Sequence, residues 1–257
     1  MRVVSLTCSN TEIVCALGRA DELVGVDDWS DYPPEVVGRL PRVGPDLGID
    51  VEMVKRLEPD LVLASLTVPG HEKVVERVAA AGLRYIAPAP ESLHDVARDV
   101  LQIARLLGVE ERGEELAREL EQAFAPRDHR PGPRPKIAIQ WWPKPAILPG
   151  RRSWAHDLIE LAGGENLLGN EEVKSRPVTD EEFAELAPDA VVISWCGVEE
   201  EKYRPEVVAR NPLWQAVPAI REGRIYKISE AFLGRPGPRL REGLLALRAV
   251  IEACQKS

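Results

Sequence analysis

The chain spells nearly the same ten residues twice, RLEPDLVLAS at 56–65 and ELAPDAVVIS at 185–194, 129 positions apart (185 minus 56). The matched positions carry physical meaning: Leu57 answers Leu186, Pro59–Asp60 answers Pro188–Asp189, and Ser65 answers Ser194. Upstream, Glu52 and Val54 answer Glu181 and Phe183. Each copy reads as the end of a short helix, a Pro-Asp stop and an apolar run. Proline cannot continue a helix, and an unbroken Leu/Val/Ile run of this length suits a strand buried on both faces. Two such copies imply two similar α/β halves.

The flanking sequence alternates in the same way. Strands are expected at 2–6, 23–26, 60–65 and 85–88, with helices at 9–18 and 69–82 between them. That alternation implies a parallel sheet. Helical spacing runs through 91–124 and predicts two consecutive helices, the second heavily charged; PRDHRPGPRP at 126–135 then breaks the pattern. A second α/β unit follows, with strands at 136–141, 189–194 and 224–228 and helices at 153–164 and 239–254. The expected organisation is a lobe over 1–108, a linking helix over 109–125 and a lobe over 126–257. The fold class is α/β, with two Rossmann-like lobes and a ligand cleft between them, where the carboxyl ends of the strands face each other.

A length of 257 residues lets each lobe bury its own core. A net charge of −9 excludes a general nucleic-acid or anionic-membrane binder, since both need clustered cations. No stretch approaches the roughly 20 apolar residues of a membrane span. MRVVSLTCSN lacks an export signal's apolar region, so the chain is read as cytosolic or as starting after a removed signal. Cys8, Cys15, Cys196 and Cys254 have no metal-ligand spacing and read as buried or half-buried free thiols.

The segments after the strands hold five of the six tryptophans, Trp29, Trp141, Trp142, Trp154 and Trp195, together with Ser9, Asn10, Tyr32 and Phe232. Large flat side chains there suit a large, partly apolar ligand; one or two of the five tryptophans read as core instead. There is no GxGxxG, P-loop, GxSxG or HExxH, and no catalytic residue or metal ligand is assigned. His71 and His94 read as surface helix positions, His156 as a locally satisfied histidine, and Asp27, Asp28 and Asp31 as a solvated loop. Glu72 and Glu201 keep the 129-residue offset (201 minus 72) beyond the repeat. A carboxylate in a first helical turn is favoured by the helix dipole whatever its role, so position alone leaves docking and dipole readings equal.

VVSLTCSNTEIVCALGRADELVGVDDWSDYPPEV, RVGPDLGIDVEMVKRLEPDLVLAS, PDAVVIS and NPLWQAVPAIREGRIYKIS, in that order, resemble the helical-backbone class of ABC-transporter substrate-binding proteins, specifically its cobalamin-binding branch. The resemblance implies two α/β lobes bridged by one long helix, and an aromatic-lined ligand site. It implies a monomer working in the periplasm or otherwise outside the cytoplasm, with no cofactor of its own. It also implies docking on a permease dimer through one surface glutamate per lobe, matched here by Glu72 and by Glu201, the latter beside Glu199 and Glu200. Cobalamin, haem and ferric siderophores remain open as ligands. Arg151, Arg152, Arg176 and Arg235 would supply cations to an anionic one, whereas the tryptophans suit a corrin, whose rim is neutral amides. A two-lobed tetrapyrrole or metallocluster enzyme component would need ligating Cys or His at strand ends, where only Cys8 and Cys196 approach.

Overall fold

The computed structural model describes residues 1–126 and 132–256, so His129 and half of the Pro-rich stretch 126–135 lie outside the described residues. The chain divides into two compact units, Met1–Pro90 with His94–Glu121, and Glu91–Leu93 with Gln122–Ser257.

In the first unit the order is β1 (Val3–Ser5), α1 (Cys8–Ala16), β2 (Leu23–Val26), α2 (Pro34–Val37), α3 (Val51–Arg56), β3 (Leu61–Leu63), α4 (His71–Ala80), β4 (Tyr85–Ile86), α5 (Leu93–Leu106) and α6 (Glu110–Ala123). The four strands form one parallel sheet, ordered β2-β1-β3-β4. Both faces are covered, and the core holds Val4, Leu6, Val54, Val62, Val74 and Val78. Gly113 lets α6 close onto α5: a Cβ built there would stand 2.3 Å from the Cβ of Ala104.

The second unit runs β5 (Lys136–Gln140), β6 (Trp142–Pro143), β7 (Ala146–Pro149), α7 (Trp154–Ala162), β8 (Glu165–Asn166), β9 (Ser175–Val178), α8 (Asp180–Leu186), β10 (Ala190–Ile193), α9 (Pro205–Ala209), α10 (Pro218–Arg221), β11 (Ile225–Lys227), α11 (Glu230–Leu233) and α12 (Leu240–Gln255). Its parallel sheet is ordered β11-β10-β5-β8, and β6-β7-β9 form a small antiparallel sheet. The core includes a stacked Phe183–Trp214 pair with ring centroids 4.1 Å apart.

The doubled stretch has the same place in both units. β3 lies between β1 and β4, and β10 lies between β5 and β11. Both copies turn into their strand through a left-handed residue, Glu58 at φ 45° and Ala187 at φ 50°, again 129 apart (187 minus 58). Both aspartates then latch the neighbouring strand. Asp60 Oδ2 accepts the Arg2 N–H at 2.7 Å and Asp189 Oδ2 accepts the Lys136 N–H at 2.8 Å. Each aspartate's own N–H returns a bond to the same residue's carbonyl. Pro-Asp therefore ends a helix and sets the register of the parallel pair that follows.

Candidate functional site

In the first unit, the loop after β2 carries Trp29 at 49% exposure and Tyr32 at 45%. Large rings half in solvent need a rigid base, and buried polar groups supply it. Asp27 is wholly buried, not a solvated loop residue as expected. Its carboxylate accepts from Ser30 Oγ at 2.5 Å and from the Trp29 N–H at 3.0 Å. Thr11 Oγ1 lies 2.9 Å from Ser30 Oγ and donates to Ser5 Oγ at the end of β1. From the far side, Arg42 donates to the carbonyls of Asp27 and Ser30 at 2.8 and 2.6 Å. Ser9 and Asn10, expected as ligand contacts, are buried, and Asn10 Nδ2 donates to the Ala64 carbonyl just past β3 at 2.7 Å. Asn10 braces the end of β3.

His71 departs further from its expectation. It is 3% exposed at the start of α4, its Nε2 is 3.4 Å from Asp46 Oδ2, and its Nδ1 accepts the Val68 N–H at 3.3 Å. The bond to His71 holds the Asp46 carboxyl below the usual carboxylate range, with the Leu47 N–H and the Trp29 indole adding to it. Nothing local in the sequence signals this pair, because its members are 25 residues apart. Glu72 is exposed in the first turn of α4, and its Oε2 accepts the Gly70 N–H at 2.9 Å. Backbone N–H groups, its own and that of Gly70, hold its carboxyl low, so it is ionised at neutral pH.

In the second unit, Trp142 on β6 is 44% exposed. Trp141 and Trp195, expected at the site, are buried instead: Trp195 is 6% exposed and its indole donates to Gln140 Oε1 at 3.0 Å. Trp195 packs against Tyr203, whose hydroxyl donates to the Trp195 carbonyl and accepts the Glu230 N–H. These rings build the floor of the strand ends. Trp154 is half-buried and donates to the Leu233 carbonyl at 2.7 Å, and Arg239 lies over the half-buried Phe232 ring at 4.7 Å. Cys196 is exposed, contrary to the buried-thiol expectation.

The four arginines considered as anion partners all meet carboxylates. Arg152 is bidentate to Glu91 at 2.6 Å, and Arg176 is held by both Glu171 and Glu182. Arg151 pairs with Glu172 at 3.2 Å and Arg235 with Glu230 at 2.9 Å. Among the described residues no cluster of three or more His, Cys, Asp or Glu is placed to hold a metal ion, and no helix is long and apolar enough to cross a membrane.

Residues 3–231 match the family model described as periplasmic binding protein. The chain belongs to the periplasmic binding protein family. It is 26% identical over 257 residues to the vitamin B12-binding protein of Vibrio parahaemolyticus, covering 99% of this chain and 88% of that one. The periplasmic haem-binding protein RhuT of Roseiflexus sp. RS-1, solved in apo form, superimposes with a TM-score of 0.84 at 28% identity, covering 98% of both chains. The periplasmic vitamin B12-binding protein BtuF of Vibrio cholerae superimposes with a TM-score of 0.79 at 23% identity, covering 100% of this chain and 98% of that one. The two-lobed α/β class expected from the sequence is therefore the class of this periplasmic binding protein.

The two glutamates kept in step by the repeat occupy different local structures in this family member. Glu72 opens a ten-residue helix, whereas Glu201 sits in the single 3-10 turn Glu200–Lys202, and only the five-residue α9 follows. The expectation that both open the helix after their strand is corrected for Glu201. Beside it, Glu199 pairs with Lys202 at 2.8 Å, while Glu201 is exposed.

Proposed function

We propose that the protein captures cobalamin or a related corrinoid, releases it unaltered, and delivers it outside the cytoplasm to the permease dimer of an ABC importer. It acts as a monomer and needs no cofactor of its own. The observation that carries the choice of ligand is the pairing of Arg151, Arg152, Arg176 and Arg235 with carboxylates, which leaves the exposed rings, Trp29 and Tyr32 in the first unit and Trp142 in the second, as the prominent recognition groups. A corrin offers an apolar ring with a neutral amide rim and asks for area burial more than for cations. The name of the Vibrio parahaemolyticus relative supports the same ligand. The ligand contacts of this reading are Trp29, Tyr32, Trp142, Trp154 and Phe232, and the docking residues are Glu72 and Glu201.

The likeness to RhuT favours haem as the second reading. Calorimetric and absorbance titrations with cyanocobalamin, haem and a ferric siderophore decide between them. We expect one cyanocobalamin bound per chain and recovered chemically unchanged; tighter binding of haem, or a converted ligand, overturns the proposal.

A further inference from the structure

A cavity of about 580 Å³ lies in the second unit, between the β6–β7 turn, the start of α8 and α9. That volume falls in the range of small-molecule sites, roughly 300–1,000 Å³. Three of its lining residues are prolines, whose fixed φ keeps the walls in place. Two cations line it, Lys144 from the turn and Arg210 just past α9, both exposed. Unlike the four arginines described above, neither is paired with a carboxylate among the described residues. Two neutral donors stand with them. Asn211 Oδ1 accepts the Leu213 N–H at 3.0 Å, which leaves its amide N–H groups able to donate. Thr179 Oγ1 accepts the Glu182 N–H at 3.1 Å, which leaves its hydroxyl proton for another acceptor. The lining also offers two carboxylates, Asp180 and Glu206, the latter 4.0 Å from Arg204. Cations alone would suit any anion. Cations beside carboxylates suit a group that carries an anion and hydroxyls together, as a sugar phosphate does.

We propose that this cavity is a subsite for the phosphate and ribose of a corrinoid's nucleotide tail. Lys144, Arg210, Asn211 and Thr179 donate to the phosphate, and Asp180 and Glu206 accept from the ribose hydroxyls. This rests on the reading of the ligand as a corrinoid stacked on Trp142. Lys144 is two residues from Trp142 (144 minus 142), at most about 7 Å along the chain, so a tail hanging from a ring held there has little distance to cover. Hydrogen bonds with an ionised partner are the shorter and stronger kind, and both halves of a sugar phosphate would make them here. The same two carboxylates work against a ligand that offers anions without hydroxyls, such as a haem with its propionates.

Cobinamide keeps the corrin ring and its amide rim but lacks the nucleotide tail, so it isolates the subsite. In calorimetry the wild-type protein should bind cyanocobalamin roughly tenfold or more tighter than dicyanocobinamide, as expected from one or two charge-assisted hydrogen bonds. Lys144→Ala and Arg210→Ala should each weaken cyanocobalamin binding about three- to tenfold and leave dicyanocobinamide at its wild-type affinity. The double variant should bind the two corrinoids alike. Both side chains are exposed, so melting temperatures should stay near wild type. If an alanine variant is not folded by circular dichroism, Lys144→Gln or Arg210→Gln takes its place. Equal wild-type affinities for the two corrinoids overturn the subsite and leave the corrinoid reading standing. Equal weakening of both corrinoids by the cation variants does the same. Wild-type protein that binds neither corrinoid overturns the corrinoid reading and the subsite with it.

Discussion

Trp29 and Trp142 keep close to half their surface in water after folding, and that uncovered apolar area is what a ligand would remove from solvent. Burying or stacking one such ring contributes about 1–3 kcal/mol. Trp29→Ala and Trp142→Ala should each weaken cyanocobalamin binding by about tenfold or more in calorimetry, with melting temperatures near wild type. Trp195→Ala should do the reverse: its ring is buried and hydrogen-bonded to Gln140, so removal should cost about 3–5 kcal/mol of stability in denaturant unfolding. Asp99 on α5 gives a prediction in pH. Burial first, and the nearby Asp95 carboxylate second, push its carboxyl up to about 7. A raised folded value stabilises fully below the unfolded pKa, near 3.8, and that contribution is lost as pH rises through about 7. Asp99→Asn should therefore gain melting temperature over wild type between pH 4 and pH 8. The gain is moderated because water partly screens the side chain. A difference that stays flat over that range contradicts the assignment.

Among the elements, the left-handed residues at the two helix-to-strand turns are the informative ones. A side chain with a Cβ at φ 45–50° is strained by about 1–2 kcal/mol, and glycine is not. Glu58→Gly and Ala187→Gly should each stabilise the protein by about 0.5–1 kcal/mol, less than the full strain because glycine also frees the unfolded chain. Denaturant melts of both variants check this, and destabilisation would mean that the side chains contribute contacts beyond their backbone. These turns also explain what the sequence made legible. The Pro-Asp stop and the apolar run are local signals repeated twice, so β3, β10 and the helices before them could be read directly. The antiparallel sheet could not, because Trp142-Pro143-Lys144-Pro145 reads as a breaker while its strands pair across the Lys144 turn and with the distant Ser175–Val178. Among the aromatic residues singled out from the sequence, Trp29, Tyr32 and Trp142 are the exposed ones. The Asp46–His71 contact escaped, because spacing cannot show that residues 25 positions apart meet. Trp141 and Trp195 escaped for the opposite reason: a tryptophan after a strand looks the same in sequence whether it faces solvent or floors the sheet.

For the molecule as a whole, the docking proposal rests on two carboxylates of unequal setting. Glu72 is ionised and held by backbone N–H groups, whereas Glu201 lies in a short 3-10 turn. Bidentate pairing with arginines of a permease would fix orientation as well as add affinity. Uptake assays with reconstituted transporter should show impairment by Glu72→Ala, a smaller one by Glu201→Ala, and the largest by the double variant, with cyanocobalamin titrations at wild-type values throughout. Normal uptake by the double variant would return both residues to the helix-dipole and solvated-turn roles.

β3 and β10 follow the same Pro-Asp stop and take the same inner place in their sheets, which has a consequence for the order in which the chain is made. Two strands that fit the same slot are rivals, and a denatured chain returning to its fold holds both at once. A ribosome does not. Pairing of Val3 with Leu61 closes a span of 58 residues (61 minus 3), and the first unit has its last residue at Glu121, well before Ala190 emerges. Because domains are free to fold as they are synthesised, the first sheet can fill its inner slot while its only look-alike does not yet exist.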